Sequence, residues 1–542
     1  MKNLIGLYVK DYPATCTILD EKNNLYYFDG TRYTKNKYQY WNLNKFDAAY
    51  ENTLSMSNFI MDLLVYYNID KSQFSISKHD IEINDYMLFY EPIINKYKSR
   101  LGSINRYDHR FCHAASVYYT SNSHHSLIFV IDGSGDGTIG IYLGKNDKIE
   151  LLEKCNNFSY GRIYNAVSKH VMDALNVSYA NKDECSGKFM GYTAYGVLNS
   201  KLYDKIYSLL DNLYQDKSSI EVNGIQYKVS DLILNEFESI ELKQASFTFQ
   251  KAWIDHLIHF ISKYSSISKD ICVAGGCFLN CILNWNLFQS GLFDNIYFTP
   301  VPDDSGQSLG AVLAANKKHI NFSPFIGAMA FDYKSIQYLK DKYQNRNTTL
   351  SEIAHLILDD CIVGVFRDKM EIGPRALGNR SILANPFNKN IKEILNNRVK
   401  HREWFRPFGA VVLEEDCEKY FDISGKFPYM NIVGYNKTSL FPGVTHIDNS
   451  TRVQTVCRSD NEWLYELLLE VKRTCGHGIL LNTSFNIQGQ PIINWYKDAI
   501  GMWKKGEIDY LLLEDNLFFD NKPPHATKHI YNSHEAEHSP KL

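Results

Sequence analysis

The sequence predicts an α/β protein whose first part contains a duplicated nucleotide-binding core. A pattern of strand, turn and strand occurs near the N-terminus and returns after residue 126, and apolar residues at helical spacing accompany both copies. The composition is that of a globular protein, with 44% hydrophobic and 22% charged residues. The 542 residues suffice for about two to four domains of roughly 100–200 residues each.

Charge and cysteine content narrow the functional class. Lys and Arg number 58 and Asp and Glu 61, so no overall basic field favours nucleic acid as a partner. The N-terminal apolar run is too short for a signal sequence, and no window approaches about 18 consecutive apolar residues, so we expect a cytoplasmic protein without a membrane segment. The 11 cysteines include no CxxC pair, which fits a reducing compartment.

The first copy of the repeated pattern is an N-terminal antiparallel meander. Strands are predicted at residues 4–9, 15–19 and 25–28. The sequence Asp11-Tyr12-Pro13 and the polar run at residues 21–24 supply the two turns.

The second copy has the same order of elements. Strands are predicted at residues 127–131, 139–143 and 149–152, and the glycine-rich turn Asp132-Gly-Ser-Gly-Asp-Gly137 joins the first two. Helices are predicted at residues 53–67, 246–264 and 305–317, where apolar residues recur at helical spacing. These helices are expected to flank the two sheets.

A second unit follows a polar, irregular stretch between residues 316 and 349. We place the domain boundary near residue 345, so that the second unit comprises residues 346–520. Strands are predicted at residues 362–366, 478–481 and 510–513, and a block rich in Arg and Pro lies between residues 373 and 408. Residues 521–542 are polar and contain two adjacent prolines, which predicts a mobile tail.

Two histidines and two aspartates form a candidate metal site. His109 and His113 are four residues apart and would lie on one face of a helix. Asp132 and Asp304 each stand in a tight turn, the first after a buried-type strand and the second before a helix. Most HxxxH pairs are surface or capping histidines, but two imidazoles with two carboxylates suit Fe(II), Zn(II) or Mn(II) better than calcium.

Glycines follow two predicted strands, at residues 132–137 and 274–280. Glycine lets backbone N–H groups approach a phosphate or a nucleobase, although turns also need glycine for steric reasons alone. Neither turn has the GxxxxGK[ST] or GxGxxG pattern, which disfavours a Walker-type NTPase and a Rossmann dehydrogenase.

Several longer motifs resemble a single family. They are Gly373-Pro-Arg-Ala-Leu-Gly-Asn-Arg-Ser-Ile382, Val399-Lys-His-Arg-Glu-Trp-Phe-Arg-Pro-Phe408, residues 445–455, Leu480-Leu-Asn-Thr-Ser-Phe-Asn486 and the segments around His109 and Lys188. In this order, from about residue 100 to residue 515, they resemble the nodulation-protein-U and antibiotic-tailoring O-carbamoyltransferase family.

The resemblance implies a fold and a reaction. Residues 1–345 would form an ASKHA-like domain of the duplicated actin and Hsp70 type, and residues 346–520 an α+β YrdC-like domain. The YrdC-like domain would make carbamoyl-adenylate from carbamoyl phosphate and ATP, with Mg(2+) accompanying ATP. The first domain, with a divalent metal that the resemblance identifies as Fe(2+), would pass the carbamoyl group to a hydroxyl of a small-molecule acceptor, a secondary metabolite or a glycan.

The resemblance also implies roles for individual residues. The metal ligands fall on His109, His113, Asp132 and Asp304. Nucleotide contacts fall on Lys188, Gly135, Gly275, Gly276 and Asn280. Phosphate contacts fall on Lys400 and Arg402 of a KxR motif, Ser484 and Asn486 of an SxN motif, and Arg375, Arg406 and Arg452. Arginine runs are usually solvated surface, but arginines among Gly, Pro and aromatic residues favour anion binding, and guanidinium binds oxyanions bidentately.

One position departs from the family. The family has a histidine near the acceptor hydroxyl, and Asp11 occupies that place by count. A carboxylate can act as general base if burial raises its pKa, which makes Asp11 the candidate catalytic residue. Alternatively, Asp11 only opens the turn before Pro13.

Two other functions stay open from the sequence. One is transfer to a thiol or a tRNA base, although the chain lacks the CxxC fingers of the hydrogenase maturation factor and the basic face expected of a tRNA enzyme. The other is a nucleotide-binding scaffold that has lost its base. Formation of AMP and pyrophosphate would separate the enzyme from the scaffold.

Overall fold

The structure is a computed structural model that describes residues 4–9, 14–20, 22–34, 80–84, 104–133, 139–155, 158–179, 183–214, 219–222, 225–237 and 240–520. The predicted helix at residues 53–67, Asp11, Gly135 and the predicted tail from residue 521 lie outside these described residues.

Fifteen α-helices lie in the described ranges. They are α1 (Gly30–Thr34), α2 (His109–Tyr118), α3 (Tyr160–Ala174), α4 (Asp183–Thr193), α5 (Ser200–Tyr214), α6 (Val229–Phe237), α7 (Leu242–Ser262), α8 (Cys281–Gln289), α9 (Gln307–Asn316), α10 (Ile336–Lys342), α11 (Leu350–Leu358), α12 (Ile391–Ile394), α13 (Glu414–Tyr420), α14 (Glu462–Cys475) and α15 (Tyr496–Lys504). Single 3₁₀ turns occur at Gly276–Leu279, Asp304–Gly306 and Tyr333–Ser335, and Leu395–Lys400 is π-helical. The predicted helices at 246–264 and 305–317 correspond to α7 and α9.

The first sheet contains the predicted N-terminal meander. Its described strands, in spatial order, are β3 (Leu25–Asp29), β2 (Ala14–Leu19), β1 (Leu4–Val9), β4 (Asp80–Asn84) and β5 (Ile104–Tyr107). The strands β1, β2 and β3 pair antiparallel, whereas β4 pairs parallel with both β1 and β5.

The second sheet repeats this topology. Its described strands, in the corresponding order, are β8 (Lys148–Cys155), β7 (Ile139–Lys145), β6 (His125–Ile131), β11 (Asp270–Ala274) and β12 (Asn295–Phe298). Again the first three strands form an antiparallel meander and the last two add in parallel. The predicted duplication and α/β class are therefore confirmed by the strand order itself. A separate hairpin joins β9 (Ser219–Val222) and β10 (Ile225–Lys228).

Two helices lie between the sheets. Helix α9 packs on β1, β2 and β4 of the first sheet, and α2 packs on β6, β7 and β11 of the second. The two helices cross closely because Gly310 has no Cβ: a Cβ there would lie 2.0 Å from the carbonyl oxygen of Cys112.

Strand β6 separates two cores because alternate side chains point to opposite faces. Leu127, Phe129 and Ile131 belong to the core shared with α3 and α7, whereas Ile128 and Val130 face α2 and α9. Because both faces of β6 are buried, its sequence is a continuous apolar run rather than an alternation of apolar and polar residues.

The second unit is built on one mixed sheet. Within the described residues it has nine strands, in the order β13 (Asn345–Asn347), β21 (Asn516–Phe518), β20 (Tyr510–Leu513), β14 (Val363–Phe366), β15 (Arg380–Ala384), β19 (Ile479–Ser484), β16 (Gly409–Leu413), β18 (Ser450–Val456) and β17 (Ile432–Tyr435). Only two neighbouring pairs of this sheet are parallel, β14 with β20 and β16 with β18. Helices α11 and α14 cover one face around Val365, Val411 and Leu480. A mainly antiparallel sheet covered by helices is the α+β arrangement that the sequence predicts for this unit.

Candidate functional site

The four predicted metal ligands meet at one point between the two central helices and the second sheet. Asp108 caps α2, accepting hydrogen bonds from the backbone N–H groups of Arg110 and Phe111, and the helix then places His109 and His113 one turn apart. The Nε2 atom of His109 lies 3.1 Å from Asp132 Oδ2 and 3.3 Å from Asp304 Oδ1. The corresponding distances from His113 Nε2 are 3.6 and 3.4 Å.

The two predicted glycine turns hold Asp132. Its Oδ1 accepts hydrogen bonds from the backbone N–H groups of Gly133 at 2.7 Å and Gly276 at 3.2 Å, which leaves Oδ2 to face the histidines. A Cβ on Gly276 would lie 3.0 Å from this Oδ1. Gly275 has a φ of 96°, and its Cβ would lie 2.3 Å from the Ile131 carbonyl oxygen. Gly275 therefore requires glycine, whereas a side chain at Gly276 would press on the carboxylate that its backbone N–H binds.

Asp304 is oriented from the first sheet. It opens the turn before α9, and its Oδ2 accepts a 2.6 Å hydrogen bond from the hydroxyl of Tyr8 on β1. Its Oδ1 is left to face His109 and His113. Sequence reasoning missed Tyr8, because the two residues are 296 positions apart and no local pattern connects them.

The charges of this cluster are mutually dependent. Burial opposes protonation of His109, but Asp304 and Asp132 outweigh it and raise its pKa to about 10. Burial would raise the pKa of Asp132, but the two imidazoles outweigh it and lower that pKa. The carboxylates likewise raise the pKa of His113 despite its burial. Two carboxylates buried together therefore require a compensating positive charge.

A divalent cation fits this environment. His113 is fully buried, and neither of its ring nitrogens has a hydrogen-bond partner among the residues that the structure describes. Buried polar atoms without a partner are rare in proteins unless they bind a ligand. The four candidate ligand atoms all lie within 4.8 Å of one another, and nitrogen and oxygen donors together suit a transition-metal ion.

The KxR and SxN motifs meet in the second unit. Lys400 is 2% exposed, and its Nζ donates to Ser484 Oγ at 3.3 Å, to the Asn486 carbonyl oxygen at 3.1 Å, to Asn486 Oδ1 at 3.0 Å and to the Ser484 carbonyl oxygen. All four acceptors are uncharged. Burial and the charges of Arg402 and Arg406 lower the pKa of Lys400.

The predicted arginines form a cationic cluster with this lysine: Arg402 and Arg406 act on Lys400, and Arg452 acts on Arg375 and Arg402. Burial, with the charges of Arg452 and Arg406, lowers the pKa of Arg375 to about 9. Within the described residues, no hydrogen bond or ion pair neutralises Arg375, and the Nε of Arg452 is buried without a partner. Arg402 donates to Asn396 Oδ1 at 2.8 Å and to a backbone carbonyl oxygen. Arg406 lies 3.7 Å from Glu403 Oε2, so this one carboxylate offsets part of the charge, but no described carboxylate pairs with the other cations of the cluster.

Another arginine of the same block is structural. Arg380 is fully buried, its guanidinium stacks on Phe366 at 3.7 Å, and it donates to Asn494 and to three backbone carbonyl oxygens. The sequence does not distinguish Arg380, which supports the fold, from Arg375 of the cationic cluster, because both arginines stand among Gly and apolar residues.

Two predicted nucleotide contacts are engaged elsewhere. Lys188 lies on α4 and is 2% exposed. Its Nζ donates to the Ser178 carbonyl oxygen at 2.6 Å and to Glu403 Oε1 at 2.8 Å. It therefore links the first part of the chain to the segment that carries Lys400, Arg402 and Arg406. Asn280 caps α8 through the N–H groups of Ile282 and Leu283. Sequence reasoning missed Glu403, although it is the single acidic residue of its motif.

The loop that carries Arg375 contacts the segment that leads to Asp304, backbone against backbone. Gly373 has a φ of 85°, and a Cβ there would lie 2.2 Å from the carbonyl oxygen of Pro300. Asp304 follows Pro300 by four residues, and Arg375 follows Gly373 by two. The backbone beside Arg375 thus contacts the backbone just upstream of Asp304, so the two candidate sites lie near one another. No helix within the described residues is long and apolar enough to cross a membrane.

Known proteins share much of this sequence. The chain is 31% identical to nodulation protein NolNO of Sinorhizobium fredii over 76% of this chain and 63% of that protein, so it spans less than two thirds of that relative. It is 29% identical to nodulation protein NolO of Bradyrhizobium diazoefficiens, covering 79% of this chain and 84% of that protein. It is 30% identical to an uncharacterised protein of Methanocaldococcus jannaschii, covering 76% of this chain and 73% of that protein.

Solved structures give weaker matches. Full-length HypF in its phosphate- and nucleotide-bound form matches with a TM-score of 0.33 and 16% identity over 58% of this chain and 55% of that one. The (R)-2-hydroxyglutaryl-CoA dehydratase component A of Acidaminococcus fermentans matches with a TM-score of 0.31 and 13% identity, covering 58% of this chain and 97% of that one.

Two family models cover most of the chain in order. The carbamoyltransferase N-terminus model matches residues 18–313, which include all four candidate metal ligands. The carbamoyltransferase C-terminus model matches residues 354–519, which include the cationic cluster. These matches confirm the resemblance found in the motifs: the chain belongs to the carbamoyltransferase family, a family of transferase enzymes.

Proposed function

We propose that the protein is an ATP-dependent O-carbamoyltransferase that works in two steps. In the first, the second unit makes carbamoyl-adenylate from carbamoyl phosphate and ATP, releasing pyrophosphate and, with consumption of one water, inorganic phosphate. In the second, a hydroxyl of a small-molecule acceptor, a secondary metabolite or a glycan, attacks the carbamoyl carbon and AMP leaves. The family models for both parts of the chain support this division.

The unbalanced cationic cluster is the observation that carries the proposal. Lys400 binds only uncharged acceptors, and Arg375 and Arg452 have no anionic partner among the described residues. Burial, together with the like charges of Arg452 and Arg406, lowers the pKa of Arg375, and an anion bound between these cations would offset both effects. The phosphates of ATP and carbamoyl phosphate, with Mg(2+) accompanying ATP, supply that anion, and guanidinium groups bind them bidentately.

The first part of the chain would hold the metal of the transfer step. His109, His113, Asp132 and Asp304 are the ligands, and we propose Fe(2+) from the family resemblance. When bound, such an ion acts as a Lewis acid towards an oxygen of the substrate. Tyr8, Gly133 and Gly276 fix the two carboxylates by hydrogen bonds, so the ligand oxygens are oriented before any ion arrives.

Asp11 is proposed as the general base that takes the proton from the attacking hydroxyl. It follows β1, the strand that carries Tyr8, and lies outside the described residues. Asp11→Asn should reduce carbamoyl transfer by about 10²–10⁴-fold while pyrophosphate release continues, since a positioned base contributes that much to one step only. Full transfer by this variant would assign Asp11 to the turn instead.

Pyrophosphate release and product mass test the proposal directly. The protein is incubated with ATP, carbamoyl phosphate and candidate hydroxyl acceptors, and mass spectrometry is used to find a product with one added CONH unit. Arg375→Ala should lower pyrophosphate release about ten- to a hundredfold, the effect of losing one charge-assisted contact. The matched control is Arg458→Ala, which removes a half-exposed arginine that pairs with Glu462 and Glu466. Release of no pyrophosphate by the parent protein would refute the enzyme and favour a scaffold.

A further inference from the structure

Arg32 joins the first sheet to the loop that carries Arg375. It lies in α1, directly after β3, and is 3% exposed. Its Nη1 donates to the carbonyl oxygen of Glu371 at 2.7 Å, and its Nη2 donates to the carbonyl oxygen of Gly373 at 2.6 Å. The planar guanidinium therefore spans two backbone acceptors in a loop about 340 residues further along the chain.

Asp29 holds this arginine in place. Its Oδ2 lies 3.3 Å from Arg32 Nε, and its Oδ1 accepts hydrogen bonds from the N–H and hydroxyl of Thr31. Each of the three guanidinium nitrogens thus contacts a protein oxygen, which holds the side chain in the orientation that reaches the loop.

The remainder of the loop is fixed from inside the second unit. The Oε1 of Glu371, a fully buried residue, accepts hydrogen bonds from the N–H groups of Leu377 at 2.6 Å and Arg380 at 3.3 Å. Gly373 packs against the Pro300 carbonyl oxygen. Arg375 stands in the middle of this tightly held segment, and its guanidinium is the group without a partner among the described residues.

We propose that Arg32 is a positioning residue for Arg375: it fixes the backbone on which Arg375 reaches a phosphate group of the substrate. This inference rests on the proposed function, because it takes the cationic cluster as the phosphate site. A bidentate contact tolerates little displacement, so freeing the Glu371 and Gly373 carbonyls spreads Arg375 over several positions and weakens its phosphate contact. The phosphate site of the second unit is then complete only when the first sheet is in place.

A double-mutant cycle on anion binding tests this role. Pyrophosphate is titrated calorimetrically into the parent protein, Arg32→Lys, Arg375→Ala and the double variant. Lysine keeps the charge but cannot span two carbonyls, so Arg32→Lys should weaken binding about tenfold, and Arg375→Ala about ten- to a hundredfold. If Arg32 acts through Arg375, the double variant binds no more weakly than Arg375→Ala alone.

The matched control is Arg346→Lys. Arg346 lies on β13 at the edge of the nine-stranded sheet, where it pairs with Glu352 and stacks on Phe519. It should leave pyrophosphate affinity unchanged. Asp29→Asn, which loosens Arg32 without removing its charge, replaces Arg32→Lys if that variant does not fold, and it should show the same dependence on Arg375.

Three results overturn the role of Arg32. The first is that Arg32→Lys binds pyrophosphate as tightly as the parent protein. The second is that the double variant loses affinity by the product of the two single effects. The third is that the parent protein does not bind pyrophosphate. A parent protein that binds pyrophosphate but releases none from ATP and carbamoyl phosphate refutes the proposed function, and the cycle still decides the role of Arg32.

Discussion

Replacing Gly310 by alanine should separate the two central helices and damage the candidate metal site. The added Cβ would lie 2.0 Å from the Cys112 carbonyl oxygen, whereas non-bonded heavy atoms prefer about 3.5 Å or more. The contact is between two backbones, so no side-chain rotation can relieve it. The helices must therefore move apart by about 1.5 Å at this crossing.

That displacement acts directly on the ligands. Cys112 adjoins His113 on α2, which carries two of the ligands, and α9 begins three residues after Asp304, so the turn that carries a third ligand moves with α9. Metal–ligand distances must hold to within about 0.2 Å, so a shift of this size should lower metal affinity by at least the 10–100-fold seen for supporting residues. Overpacking should also lower the free energy of unfolding by about 1–3 kcal/mol.

Chelator competition with Fe(II) or Co(II) measures the affinity, and urea unfolding measures the stability. The matched control is Gly501→Ala in helix α15, where a Cβ would meet nothing within 4 Å. That substitution should be neutral or should stabilise by about 0.5–1 kcal/mol, because alanine favours a helix over glycine. Parent metal affinity and stability in Gly310→Ala would refute the packing argument.

Three further substitutions have distinct expected outcomes. Tyr8→Phe removes the hydrogen bond to Asp304 and should weaken metal binding about 10–100-fold in the same chelator assay, and equal affinity would exclude an orienting role. Lys188→Met should lower the free energy of unfolding by about 1–3 kcal/mol, because Glu403 loses its nearest cation and keeps only Gln488 and the more distant Arg406, whereas a loss of nucleotide affinity at parent stability would support the predicted nucleotide contact. Arg380→Lys should destabilise the fold by about 3 kcal/mol in urea unfolding, because a lysine cannot replace the hydrogen bonds to Asn494 and to three backbone carbonyl oxygens, and parent stability would show that these bonds are dispensable.

The sequence predicted what depends on local patterns. Strands β1, β6 and β20 are predictable because their apolar residues are short runs bounded by turn residues, and the repetition of the meander revealed the duplicated core. The HxxxH spacing likewise placed His109 and His113 on one helical face.

Long-range contacts were not predictable in this way. Arg32 and Tyr8 stand in ordinary strand and turn sequences, and their partners lie about 300 residues away. Whether an arginine binds substrate or supports the fold depends on which acceptors the folded chain brings to it. Arg375 and Arg380 are five residues apart, yet Arg380 meets backbone carbonyls and Arg375 meets other cations.

The pairing of β13 with β21 brings the entry and the exit of the second unit together. Asn345 lies opposite Phe518 at the edge of the nine-stranded sheet. A segment whose ends are neighbours can be inserted into a host chain with both junctions at one place on the host surface. A fragment for separate expression should begin upstream of residue 345, because a start at residue 346 deletes the first pair of the strand that closes this edge.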